Sequence, residues 1–233
     1  MANSRTKSAK SAPPDLGHEE RLWLAGYGAI AGVDEAGRGA LAGPVVAGAV
    51  VLPKGAGLAD IWSEVRDSKL LSPAQREGMV DAIHQDAAGW AVGEASAQEI
   101  DAMGIAPASR LAMRRAIEGL PARPDYLLLD WVRLAAVVLP QESFTKGDQR
   151  IVSIAAASIL AKVHRDRLLV ELDRLYPVYG FASHKGYGAA SHLAAIAAHG
   201  PCPEHRRSFS PVRQTDQTAL FTELDHAAIG VKR

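Results

Sequence analysis

The chain has 233 residues, 48% of them hydrophobic and 22% charged, which supplies one sizeable core and excludes wholesale disorder. Lys plus Arg and Asp plus Glu both number 26, so no global basic charge advertises a polyanionic partner, although residues 131–213 carry 11 basic against 6 acidic side chains and leave scope for a local basic face. Cys202 is the single cysteine, which excludes an intramolecular disulfide and a thiolate zinc cluster and makes a reduced, cytoplasmic setting the default expectation.

Residues 1–20 are mostly small and polar and have no apolar stretch of the kind a secretory signal needs, so they read as a disordered tail. A single domain is expected over residues 21–213, with a second tail over 214–233 that is either a short helix or frayed. Residues 28–34 and 44–52 are β-branched and small-apolar runs around the turn Gly37–Gly43, as expected of two paired strands in a buried sheet. The run Pro44 to Leu52 is far shorter than the ~20 residues of a membrane-spanning helix, and no membrane partner is expected. Ser72 is placed as an N-cap, with Pro73 at the first helical position and Gln75 in the capping-box slot, for a helix reaching about His84. Trp90 to Ser96 alternates like a strand. Ala97 to Leu120 is helical in pattern with a break at Gly104–Pro107. Asp125 to Asp130 is a short apolar strand ending in an acid, and Ile151 to Leu175 is one long helix that starts in small residues and ends in charged ones. Residues 176–212 read as loops around a short helix near 189–198. Strands alternating with helices after an opening hairpin make a mixed α/β domain.

The chemistry sits at the strand ends. Asp34 and Glu35 close an apolar run and are followed at once by Gly37-Arg38-Gly39. Adjacent acids at the edge of a buried strand repel one another, and a divalent cation is the usual compensating charge. The glycines behind them allow close backbone approach by a phosphate or a sugar. Asp130 ends a second strand and Asp148 precedes the long helix, and strand ends in an α/β sheet converge on one cleft. Converging carboxylates suit Mg²⁺ or Mn²⁺, hard ions that take oxygen ligands. Two such ions ~4 Å apart activate a water and stabilise the leaving oxygen of a phosphodiester.

Several blocks carry a family resemblance. Gly32-Val33-Asp34-Glu35-Ala36-Gly37-Arg38-Gly39 followed by Leu41-Ala42-Gly43-Pro44-Val45-Val46-Ala47, then Asp67-Ser68-Lys69-Leu70-Leu71-Ser72, Lys146-Gly147-Asp148, Ile154-Ala155-Ala156-Ala157-Ser158-Ile159-Leu160-Ala161-Lys162-Val163, His184-Lys185-Gly186-Tyr187-Gly188 and His205-Arg206-Arg207-Ser208-Phe209 resemble, in order, the signature blocks of ribonuclease HII over about residues 28–212. The resemblance implies a ribonuclease H-like α/β domain, a mixed sheet flanked by helices with a C-terminal helical and loop part. It implies an endonuclease that cuts the RNA strand of RNA–DNA hybrids and incises at single ribonucleotides in duplex DNA, leaving 5′-phosphates, with Mn²⁺ or Mg²⁺ as cofactor. By motif position Asp34, Glu35, Asp130 and Asp148 match the catalytic, metal-binding carboxylates. Gly37, Arg38 and Gly39 match the ribonucleotide-sensing turn, and Tyr187 the tyrosine beside the junction sugar. The 2′-hydroxyl is what separates ribose from deoxyribose, so a backbone turn bonded to it is a reader. Trp131 departs from the pattern, standing where a small residue such as Gly is expected after the acid.

Lys69, before a helix start, and Lys146 and Lys185, beside site residues, are expected phosphate contacts. Lys162, Arg165 and Arg167 on the long helix form either a phosphate patch or a solvated face. His184 and His205 are expected in structural or substrate hydrogen bonds, since a hard-ion oxygen site needs no imidazole. Arg206 is expected to hold loops through backbone carbonyls, and Cys202 to be structural. A monomer is expected, and recruitment by a sliding clamp has no supporting motif in the C-terminal tail. Two rivals remain: a ribonuclease HIII-like hybrid nuclease, and a hybrid-binding module without catalysis.

Overall fold

The computed structural model describes residues 12–57, 61–66 and 68–214. Five strands form one mixed sheet in the order β3-β2-β1-β4-β5: β1 Ile30–Ala36, β2 Val45–Val51, β3 Gly89–Ala95, β4 Tyr126–Asp130 and β5 Gln141–Phe144. β1, β2 and β3 are antiparallel neighbours, while β4 lies parallel to β1 and β5 parallel to β4. The expected hairpin is therefore present, in register from Ala31 opposite Val51 to Ala36 opposite Val46. All seven residues of β2 are buried, as the unbroken apolar run requires of a strand covered on both faces.

Helices cover the two faces. On one, α4 (Ile105–Glu118) sets Ala108, Ala112, Met113 and Ala116 against Ala31, Val33, Ala47 and Leu129. On the other, α5 (Val152–Leu175) sets Ala155, Ala156 and Ala157 against the sheet, with α2 (Pro73–Asp86) packed beside it. The capping box of α2 is formed as read, Ser72 bonding the Gln75 N–H and Gln75 returning the bond. The expected break separates α3 (Ala97–Met103) from α4 at Gly104, whose φ of +84° suits glycine. A third cluster, around Phe181, Tyr179, Ile196 and Val212, holds the short helix α6 (Phe181–His184) and α7 (Ala190–His199) against the end of α5. Among the described residues no helix is long and apolar enough to cross a membrane.

The structure corrects the sequence reading at one element and adds another. Helix α1 (Gly17–Leu24) begins inside the stretch 1–20 assigned to a tail. Leu16 and Leu22 are buried, and the buried Glu19 accepts the Ser153 backbone N–H at 2.9 Å, capping the start of α5. That helix is polar in composition and owes its order to contacts made far along the chain. Strand β5 has no counterpart in the sequence reading, because four residues with one aromatic carry too little pattern. The tail expectations for residues 1–11 and 215–233, and the block residue Asp67, lie outside the described residues.

Candidate active site

Successive side chains of a strand point to opposite faces, so the adjacent acids of β1 part company. Asp34, 4% exposed, lies on the α5 face and is hydrogen-bonded by the Ser158 hydroxyl. Its Oδ1 also accepts the Glu35 N–H at 2.7 Å. Glu35 points the other way, its Oε2 accepting the Trp131 indole N–H at 2.8 Å and its Oε1 lying 3.5 Å from Arg38 Nη1. Asp130 ends β4 and accepts the Gly147 N–H at 2.7 Å. Asp148 is buried in the 3-10 turn Gly147–Gln149, which follows a left-handed Lys146 and leads into α5.

The four acids act on one another. Burial pushes the Asp34 carboxyl well above the usual carboxylate range, and the charges of Glu35, Asp130 and Asp148 push it further against the Ser158 hydroxyl. Burial lifts Glu35 to about 7, although Trp131 and Arg38 pull it down. Among the described residues no three His, Cys, Asp or Glu side chains stand as a finished metal cage. Asp34, Glu35 and Asp130 are each held instead by donors of the chain itself. Oxygen-only donors, two of them, Asp34 and Glu35, with raised proton affinity, nevertheless have the chemistry that a hard divalent cation takes.

The turn after β1 is fixed from behind by two arginines that have no exposed surface. Arg165 donates to the carbonyls of Ala42, Pro44 and Lys185 at 2.9–3.0 Å. Arg206 donates to those of Gly43 and Arg38 at 3.0 and 2.9 Å, which is the loop-holding role expected of it. Arg165 therefore belongs neither to a solvated face nor to a phosphate patch. The two turn glycines have different reasons. Gly37 has φ +90°, and a Cβ there would stand 2.0 Å from Arg165 Nε, so folding demands it. Gly39 is exposed, and a Cβ there would meet nothing within 4 Å, so its bare backbone faces open space where a ligand can approach.

Tyr187 is 40% exposed, with the Arg165 guanidinium 5.4 Å and the Lys162 ammonium 6.0 Å from its ring centre. Lys146 is exposed beside the Asp148 turn. Lys185 is half-buried and its ammonium donates to the Ala182 carbonyl, so it would have to release that bond to meet a phosphate. Lys69 lies in the 3-10 turn Ser68–Leu70 ahead of α2, and its side chain is outside the described residues. His184 bonds the Tyr179 carbonyl and the Gly186 N–H, and buried His205 bonds Cys202 and His192, both structural as expected. Two contributors escape a reading of residue types: Trp131, whose part depends on a backbone turn, and Ser158, whose place inside a quoted block was the one available signal.

Comparison with known proteins finds similarity over most of the chain. The family model described as Ribonuclease HII matches residues 31–212. The ribonuclease HII of Desulfitobacterium hafniense (strain DSM 10664 / DCB-2) is 52% identical over 199 residues, covering 85% of this chain and 75% of that one. That of Dehalococcoides mccartyi (strain ATCC BAA-2266 / KCTC 15142 / 195) is 50% identical over 203 residues, covering 86% and 94%. The crystal structure of the ribonuclease H2 from Pyrococcus horikoshii OT3 superposes with a TM-score of 0.68 at 26% identity, covering 82% of this chain and 98% of that one.

Proposed function

The chain belongs to the ribonuclease HII family, and on that premise we propose that Asp34, Glu35, Asp130 and Asp148 are its catalytic carboxylates and that Gly37, Arg38, Gly39 and Tyr187 choose the ribonucleotide at which it cuts. Membership makes the protein a divalent-metal-dependent endonuclease acting on the RNA strand of RNA–DNA hybrids. Incision at single ribonucleotides in duplex DNA, and Mg²⁺ or Mn²⁺ as the ion, belong to the proposal. One observation carries the site assignment: Asp34 and Asp130 lie toward the same ends of the parallel neighbours β1 and β4, and Asp130 bonds the Gly147 N–H of the turn that bears Asp148.

Bound divalent ions supply a nucleophilic water at neutral pH and countercharge for the departing 3′-oxygen. The chain's own residues do the rest. Asp34 and Asp130 are held at the ends of neighbouring strands, and Ser158 and the Gly147 N–H fix their orientations. Glu35 is oriented by Trp131 and Arg38. The exposed Gly39 backbone lets a ribose approach closely enough for its 2′-hydroxyl to be bonded, and the Tyr187 ring stands ready to pack on the adjoining sugar. Exposed Lys146 is placed for a flanking phosphate.

Asp34→Asn keeps the shape of the side chain while removing its charge. Cleavage of a duplex with one ribonucleotide should be abolished, while hybrid binding and far-UV circular dichroism stay as in the wild type. Full activity in that variant, or in excess EDTA, would sink the assignment. Matched all-DNA and full-hybrid duplexes, run beside the one-ribonucleotide substrate, read the specificity directly.

A further inference from the structure

Trp131 follows the acid that closes β4, with φ +49°, a left-handed conformation that a bulky side chain adopts only when its surroundings enforce it. Its backbone N–H is pinned to the Phe144 carbonyl at 2.8 Å, which turns the indole back over the ends of β4 and β1. There the ring meets both halves of the site. Its N–H donates to Glu35 Oε2 at 2.8 Å, and the Arg38 guanidinium lies 3.8 Å from the ring centre, within stacking distance. Arg38 in turn lies 3.5 Å from the second Glu35 oxygen, and its backbone carbonyl is held by Arg206. An arginine on a surface turn ordinarily samples many rotamers and must lose that freedom on binding. Here it is ordered beforehand, with 37% of its side chain still open to a ligand.

We propose that Trp131 is a positioning residue for substrate choice: it stacks on the Arg38 guanidinium beside the Gly37–Gly39 turn and ties it, through Glu35, to the carboxylate edge. The ribose-reading turn and the metal-holding acids are thereby kept in one register. The inference rests on the roles given above to Arg38 and Glu35, and it adds a residue that acts through them.

The two contacts are separable. Trp131→Phe keeps a ring under Arg38 and loses the donor to Glu35. Trp131→Gly loses both and relieves the left-handed backbone, so the fold is not at risk from the turn. With Mg²⁺ and a one-ribonucleotide duplex, Trp131→Gly should raise KM about tenfold, whereas Trp131→Phe should keep KM near the wild-type value and lower kcat. Adding Trp131→Gly to Arg38→Ala should leave KM where Arg38→Ala alone puts it, since the ring acts through that guanidinium. Multiplied KM losses in the double variant, or a wild-type KM in Trp131→Gly, would overturn the proposal. A second measurement needs neither metal nor substrate. Arg38→Ala should shift tryptophan emission in the otherwise wild-type protein and leave it unchanged in the Trp131→Phe background; equal spectra with and without Arg38 would overturn the clamp. If the wild type fails to cut the one-ribonucleotide duplex, the reading of the site falls, and the emission measurement still decides whether Trp131 holds Arg38.

Discussion

Arg165 shows how much a single side chain can organise. It is a fully buried cation with three backbone carbonyls as its hydrogen-bond partners, and burial lowers its pKa from the usual arginine value. Those carbonyls belong to two separate segments, Ala42–Pro44 behind the Gly37–Gly39 turn and Lys185 beside Tyr187. Arg165→Met fills similar volume but strands all three acceptors away from water, each at a cost of ~1–3 kcal/mol before relaxation. The variant should therefore lose about 3 kcal/mol or more of unfolding free energy, read as a lower urea midpoint at unchanged slope. Its hybrid-binding affinity should drop as well, because the turn and Tyr187 lose their common anchor. A midpoint within experimental error of wild type would show that the guanidinium does not hold these segments. Sequence could not reveal this role. A cation between Lys162 and Arg167 on a charged helix end reads as a phosphate contact or a solvated face, and only the fold of residues 176–212 over that helix buries it.

Helix α5 meets the sheet through backbone. A Cβ at Gly48 would stand 2.3 Å from the Ala157 carbonyl oxygen, and one at Gly32 would stand 2.2 Å from the Ser153 carbonyl carbon. No flexible side-chain tip lies there to swing aside, so a methyl group must push the helix off β1 and β2. Gly48→Ala should cost about 3 kcal/mol, at the upper end of overpacking effects. Activity should fall further than stability alone explains, because Gly48 lies opposite Asp34 in the ladder and α5 carries the Ser158 hydroxyl that holds that acid. Unchanged turnover in a destabilised Gly48→Ala protein would separate the packing from the site. The same contact explains what was legible beforehand. Small residues at the start of a long helix announce close packing, and apolar runs ending in Asp34 and Asp130 announce buried strands with their acids at one edge. Strand β5 and helix α1 were not legible, since Gln141–Phe144 and Gly17–Leu24 take their structure from partners remote in sequence, Leu127–Asp130 for the first and Ser153 for the second. The positions of Glu35 and Arg38 against Trp131 depend on a left-handed turn, which residue identity alone would have argued against.

At the scale of the molecule, the sheet's carboxylate edge and the C-terminal cluster carrying Tyr187 respond to acid in opposite directions. The cluster contains a chain of hydrogen bonds with a fixed sense. The Cys202 N–H donates to His205 Nδ1, so His205 must donate from Nε2 to His192 Nε2, and His192 must donate from Nδ1 to the Tyr187 carbonyl. Both rings are neutral in that arrangement. Burial first, then the neighbouring His192, lowers His205 to about 4, and burial lowers His192 too. A histidine with a depressed folded pKa takes up its proton in the unfolded chain first, so its stabilising contribution is complete above ~6.5 and is lost as pH falls from there toward 4. Glu35, raised to about 7, works the other way: the folded state binds the proton first, and stability is lost as pH rises from ~4.5 through 7. The two effects overlap and partly cancel in the wild type. Comparing the wild type with His205→Gln, which can still donate to His192, cancels the carboxylates common to both proteins. The free-energy difference between them should shift against the wild type as pH falls from 7 to 4.5, by at most about 3 kcal/mol, measured by urea unfolding at each pH. A difference that stays flat across that range would mean that His205 is not held neutral, and that the hydrogen-bond chain supporting the Tyr187 carbonyl does not run in the sense its geometry requires.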